Sequence, residues 1–357
     1  VTRALQRERD GRPVRAAERE RGAALPAALV VVGVALALGS AVADLMHTQA
    51  VLARNRRTAA RALAKADGCL AHVVAAMPAG WTFDAELAGP DGVAGTADDG
   101  QLAAPAGCTV VADTAPGPVD PPRTLLAVEG RDGGGRRLLD AVVRRRDAPG
   151  VDAVLWLEGG AMPGTIGGSL TLDGRDPLEP FAPPWAAVAA PLDPATLDAW
   201  IAGNGGRVDV AAPTPAPIAV ATPSVAALVA RAVAAGAVPG AVLSPAPPAT
   251  PALALVTGDL AVATPSHGAG VLVIQGRLDI QAPFAFTGLL VAADGVRVTH
   301  AGRLDIAGAL WIGSGVLEPL EVDGVAHLVA SAAGLQVADA MLPLPRRAVV
   351  AGVHDPG

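Results

Sequence analysis

Polarity changes abruptly along this chain. Residues 1–22 are polar and charged, and Gly22 to Ala43 then run without a charge until Asp44. As a helix this stretch extends roughly 33 Å, matching a hydrocarbon core about 30 Å thick. Helical character is predicted to continue. No proline interrupts Ala41 to Met77, Gly68 is the only glycine there, and Leu45, Leu52, Leu63 and Leu70 fall on one helical stripe. Residues 23–78 therefore read as a single helix, membrane-spanning over 23–43 and amphipathic beyond, stopped at Met77-Pro78-Ala79-Gly80.

Downstream, apolar runs are short and punctuated by turn residues. TLLAVEG, VDAVLWLEG and GSLTLDG alternate as strands, RRLLDAVVRRR fits a strand or a short helix, and TPSVAALVARAVAAG (Thr222 to Gly236) has the start and stop signals of a helix. Pro-rich PTPAP and SPAPPATP bracket that helix as flexible joints or subdomain edges. From Gly258 the pattern changes to GDLAV, GVLVI, GRLDI, GLLVA, GVRVT, GRLDI and GALWI, beginning at Gly258, Gly270, Gly276, Gly288, Gly295, Gly302 and Gly308. Their spacing suggests coils of about 18–20 residues, a small parallel β-helix whose stacked coils bury apolar faces that one coil leaves bare. An antiparallel meander is the alternative. The tail, Val325 to Leu342 and then RRAVVAGVHD, is predicted as a helix followed by a strand.

The expected organisation is α+β: a charged leader over 1–22, the long transmembrane and amphipathic helix over 23–78, an α/β head region with Pro-rich linkers over 79–250, a parallel β-helix-like block over 251–315, and a C-terminal helix and strand over 316–357. With 42 Gly and 32 Pro, turns and extended segments dominate outside the helices. The net charge is −7, and more negative once the arginine-rich leader is set aside. An acidic surface with nine aromatic residues offers neither phosphate attraction nor a stacking platform, which argues against nucleic-acid binding.

Three fates fit the N-terminus. Ala41-Val42-Ala43 before Asp44 has the small-x-small pattern of a secretory signal cut after Ala43; an uncut anchor is the second; the third is processing at the polar border. Pro26 favours the third, because a cut after Gly22 places it in the first turn, where its missing N–H is harmless. The run ERERG, then AALPAALVVVGVALALG, then the long amphipathic continuation resembles the leader and first helix of type IV pilin-like proteins. The similarity is greatest to PilX-type pilus-assembly proteins and the related pseudopilins of type II secretion, and the GxLxI and GxLLV block is similar to repeats in PilX-related chains.

That resemblance implies cleavage by prepilin peptidase between Gly22 and Ala23. It further implies a minor pilin or pseudopilin that assembles a type IV pilus-like fibre. The inner membrane anchors it first, with a periplasmic or extracellular head, before it enters a cell-surface fibre through contacts of its helix with other pilin-like subunits. At the fifth mature position, where the family carries glutamate, stands Ala27, which implies a tip or first-placed subunit. Gly33, Ala37 and Ala41 share one helical face and allow close helix approach. The reading from another class is a secreted or surface polysaccharide-binding, adhesive β-helix protein, released after Ala43.

Chemistry-bearing residues are sparse. Asp91, Asp98 and Asp99 in AGPDGVAGTADDGQ suit calcium, an oxygen-seeking cation, and the loop resembles the acidic calcium loops of pseudopilins although it lies earlier in the chain; a solvated turn rich in Asp and Gly is the simpler reading. Cys69 and Cys108 fit a disulfide outside the cytoplasm or two independent buried thiols. Six scattered histidines show no metal-ligand spacing. GRDGGGRR (Gly130 to Arg137) reads as a flexible turn, and Asp279 and Asp305 occupy matching places in the two GRLDI copies. Neither GxSxG nor SxxK occurs, and the chain is not expected to be an enzyme.

Overall fold

The computed structural model describes residues 14–114, 122–159, 162–212, 218–219, 224–313 and 318–356, with side chains of the first helix described from Leu25 onward. The leader residues 1–13 and the PTPAP linker at 213–217 lie outside the described residues. The chain opens with α1 (Val14–Ala76), a helix about 95 Å long, then a short α2 (Asp84–Leu87). Four strands follow: β1 (Gln101–Leu102), β2 (Cys108–Thr114), β3 (Arg123–Asp132) and β4 (Gly135–Arg145). Next come β5 (Ala153–Leu157), β6 (Ser169–Asp173), β7 (Ala186–Ala190), α3 (Pro194–Gly203), β8 (Val208–Val210), β9 (Ile218–Ala219) and α4 (Val225–Ala234). The third stretch holds β10 (Val238–Pro239), β11 (Ala252–Val256), β12 (Leu260–Val262), β13 (Ser266–Ile274), β14 (Leu278–Ile280), β15 (Pro283–Ala292) and β16 (Val296–Val298). It closes with β17 (Arg303–Ile312), β18 (Leu320–Val322), β19 (Val325–Val329), α5 (Ala332–Met341) and β20 (Ala348–His354).

Two bodies result. Strands β1-β2-β3-β4-β20 make an antiparallel sheet, and the C-terminal third of α1 lies on it through Ala66, Cys69, Leu70, Val73 and Met77. The predicted leucine stripe is split. Leu70 is buried, but Leu45 and Leu52 are 57% and 50% exposed, because the sheet reaches only the last turns of the helix. RRLLDAVVRRR is the strand β4.

The second body is a parallel solenoid with three walls. The first stacks the front halves of β13, β15 and β17 with β19, β6 and β8; the second stacks β10, β11 and the back halves of those long strands with β5, β7 and β9; the third is β12-β14-β16-β18. Among the described residues every pairing between these strands is parallel, so the meander alternative falls. The long strands turn from first wall to second at Gly270, Gly288 and Gly308, which sit in register with φ of 97°, 126° and 145°. A Cβ on Gly288 would overlap the carbonyl oxygen of Gly270, and one on Gly308 that of Gly288. Only glycine permits that corner.

Burial separates the glycine motifs by wall. GVLVI, GLLVA and GALWI are apolar at nearly every position because the second wall is buried on both faces. Leu272, Ile274, Leu290 and Leu310 point into the solenoid, while Val271, Val273, Leu289 and Trp311 pack outward with Leu228 of α4 and Leu335 of α5. GDLAV, GVRVT and both copies of GRLDI alternate, as strands with one wet face do.

The chain does not climb this stack in order. It enters in the middle at β5, runs out to β9 at one end, passes α4 to β10 at the other end, and climbs back to β19. The coil beside β17 is therefore completed by two remote segments: β19 pairs with its front half (Arg303↔Val325) and β5 with its back half (Leu310↔Leu155). The solenoid thus takes in β5–β10, β18 and β19 as well as the expected 251–315 block. The tail prediction is corrected too. Val325–Val329 is a strand, with Ala326 and Leu328 buried in the solenoid core, and the helix begins only at Ala332, after Ser331 accepts the Gly334 N–H. SPAPPATP is no loose joint at its start, since Ser244 and His267 exchange two backbone hydrogen bonds of 2.7 Å.

Candidate functional site

The apolar half of α1 is the most unusual surface of the molecule. Leu25, Leu29, Val30, Val31, Leu36 and Leu38 are each more than 60% exposed. Burying such side chains is worth roughly 1.5–3 kcal/mol each, so water is the wrong surrounding for them. The helix is long and apolar enough to cross a membrane, judged by length and composition. Gly33, Ala37 and Ala41 lie on this bare stretch, and a Cβ at Gly33 would meet nothing within 4 Å. The Gly22–Ala23 bond lies within the helical backbone of α1, with the side chains of both residues outside the described set.

Where α1 meets the sheet, small residues set the distance. A Cβ on Gly130 of β3 would come within 2.5 Å of Ala62 O and Ala66 N, and one on Gly135 of β4 within 2.8 Å of Thr58 O. GRDGGGRR is thus the β3–β4 hairpin, and its flanking glycines let the hairpin press on the helix. The sequence showed the turn but not the helix it abuts. Cys108 sits in register with Gly130 and is disulfide-bonded to Cys69 of α1, with Cα atoms 6.4 Å apart.

The end of α1 is locked by a group that the sequence did not single out. Arg145, at the end of β4, is 1% exposed and donates to Glu86 Oε1 at 2.8 Å. It also donates to the carbonyls of Thr82, Pro78 and Arg346 and lies 4.1 Å from the Phe83 ring centre. Burial pulls its pKa down, with Glu86 opposing. Nothing in RRR at 144–146 distinguishes its middle member; only tertiary packing does.

The Asp91–Gly100 loop, between α2 and β1, is organised by its own donors. Val93 N–H donates to Asp91, the N–H groups of Gly95 and Thr96 to Asp99, and the Thr96 hydroxyl to Asp98 at 2.7 Å. The Thr96 hydroxyl holds the Asp98 carboxyl below the usual carboxylate range, and the Gly95 and Thr96 N–H groups do the same for Asp99. Among the described residues no three His, Cys, Asp or Glu side chains converge as a metal cluster.

Asp279 and Asp305 are not stacked neighbours. Asp279 lies in β14 on the third wall, in register with Arg297, whereas Asp305 lies in β17 on the first, in register with His327. The 26-residue separation is not a whole number of 18- to 20-residue coils, so the verbatim GRLDI copies land on different walls. Asp305 is held by Arg303 at 2.7 Å and approached by His327 at 4.0 Å.

No protein-family model matches the chain, and no curated protein matches it. Among solved structures it shows a likeness to the crystal structure of the competence-associated pilin ComZ from Thermus thermophilus. The identity is 10%, the match covers 72% of this chain and 84% of that one, and the TM-score is 0.23. A superposition that loose carries no conclusion about this chain.

Proposed function

We propose that the chain is a structural subunit of a type IV pilus-like fibre, a minor pilin or pseudopilin of the PilX type. The observation that carries this reading is one uninterrupted helix with unlike ends, bare and apolar from Leu25 to Ala43 and packed on an antiparallel sheet only over its C-terminal third. The bare half would sit in the inner membrane until prepilin peptidase cuts after Gly22, and would then pack laterally against like helices through the Gly33, Ala37 and Ala41 face. Sheet and solenoid form the exposed head. Ala27 in place of a buried glutamate supports a tip or first-placed position, since no carboxylate there would pair with a neighbour's terminal amine. The function is assembly rather than catalysis.

Helical backbone that continues through Ala43 without a break speaks for this reading over a secreted binding protein. Sequencing the N-terminus of the mature protein from cells with active prepilin peptidase tests it. Ala23 is expected; a mature chain beginning at Asp44, or the uncut chain as the sole form, overturns it.

A further inference from the structure

We propose that the basic cleft at the junction of sheet and solenoid is a binding site for a compact oxyanion, a carboxylate or phosphate group. The cleft has a volume of about 510 Å³, and its lining includes Trp81, Arg145, Arg146, Asp147, Arg231 and Arg346. That volume lies in the range of small-molecule sites. Of the four guanidinium groups, those of Arg145 and Arg346 are paired with carboxylates, so the charge left on Arg146 and Arg231 decides what the cleft accepts.

Each local carboxylate is already committed. Glu86 holds Arg145 at 2.8 Å, Asp339 holds Arg346 at 3.0 Å, and Asp147 holds Arg144 at 3.0 Å. Among the described residues none is left for Arg146 or Arg231. Arg146 donates to the Pro149 carbonyl through Nη2, and Arg231 lies over the Trp81 ring at 4.6 Å, with Trp81 itself fixed by its Nε1–H donating to the Pro343 carbonyl. Arg146 Nε and Arg346 Nη1 are sealed from solvent and do not face the open cleft, so it is the remaining N–H groups of Arg146 and the exposed Arg231 that present donors to it. Planar guanidinium forks match the oxygens of carboxylate and phosphate. The lining comes from five separate segments: the α1–α2 link, the β2–β3 link, the end of β4 with the β4–β5 link, α4 and the α5–β20 link. An anion seated there fastens the sheet body to the solenoid.

The test uses the full chain in detergent micelles, in phosphate-free buffer at constant ionic strength set by sodium chloride. Inorganic phosphate and citrate are titrated separately, followed by calorimetry and Trp fluorescence. Saturable binding of one anion per chain is expected, and the probe that saturates at lower concentration assigns the group as phosphate or carboxylate. Arg146→Gln with Arg231→Gln is expected to weaken binding about ten- to hundredfold, the loss of one charge-assisted hydrogen bond or more. Arg303→Gln, on the exposed first wall, leaves it unchanged. Should the double variant not fold, Arg231→Gln alone serves, since that side chain is exposed and carries no carboxylate partner. Failure of both anions to saturate, or equal affinity in wild type and the Arg231→Gln variant, overturns the proposal.

Discussion

The Arg145–Glu86 pair offers the sharpest test of how the head is fastened to the helix. Both side chains are nearly sealed from water, at 1% and 6% exposure, so the Coulombic attraction is weakly screened and either charge left alone is badly placed. Glu86→Gln keeps size and an acceptor but strands the guanidinium, an expected loss of about 3–5 kcal/mol. Arg145→Met strands the Glu86 carboxylate and also removes the donor to the Pro78 and Thr82 carbonyls. Each part-buried hydrogen bond from the charged donor is worth about 1.5–3 kcal/mol, so the loss exceeds that of Glu86→Gln. Because both charges are taken out of water, the pair is a costly one to hold. Glu86→Gln combined with Arg145→Met is therefore expected to cost less than the sum of the single changes, by about 2 kcal/mol. Urea unfolding of the full chain in micelles, followed by Trp fluorescence, gives the three values. Glu86→Gln losing under about 1 kcal/mol, or strict additivity in the double variant, would refute the reasoning.

Three further outcomes follow from the geometry. Gly288→Ala is expected to lose about 3 kcal/mol or more, since the added methyl overlaps the Gly270 carbonyl at a positive φ; Gly92→Ala, with nothing within 4 Å, should lose only about 1–2 kcal/mol, and equal urea midpoints for the two would sink the corner argument. Reducing the Cys69–Cys108 bond, or replacing both residues by serine, removes a cross-link 39 residues apart in sequence, worth about 4 kcal/mol on loop entropy; unfolding with and without reductant measures it, and a change below about 1 kcal/mol contradicts it. Asp98 and Asp99 have depressed folded pKa values, so their contribution is complete above the ordinary carboxylate range and disappears as pH falls through and below it. The stability gap between wild type and Asp99→Asn should therefore close between about pH 5 and pH 2, and a gap independent of pH would be inconsistent with it. Calorimetric titration of calcium into these two proteins tests the calcium proposal for Asp91, Asp98 and Asp99 in the same samples, a heat absent from the wild type removing it.

The sequence by itself determined the elements whose evidence is periodic and local. An uncharged stretch from Gly22 to Ala43 with an unbroken continuation means a long helix whatever surrounds it, and glycines opening short apolar runs mean stacked coils. What it left open was every contact made at long separation. GRLDI at Gly276 and at Gly302 is one pentapeptide on two walls, because local alternation specifies that one face is wet but not which wall of the solenoid carries it. VAHLV reads as the start of a helix yet is a strand, because an apolar run of five residues fits either period until its neighbours are known.

Tertiary structure alone decided that the solenoid begins in its middle, with β19 and β5 sharing one coil. It also decided that Gly130 and Gly135 serve helix contact, and that Arg145, among three adjacent arginines, is the buried one. Strand pairing and desolvation are set by which surfaces meet, and residues as remote as Leu155 and Leu310 meet only once the whole chain has folded.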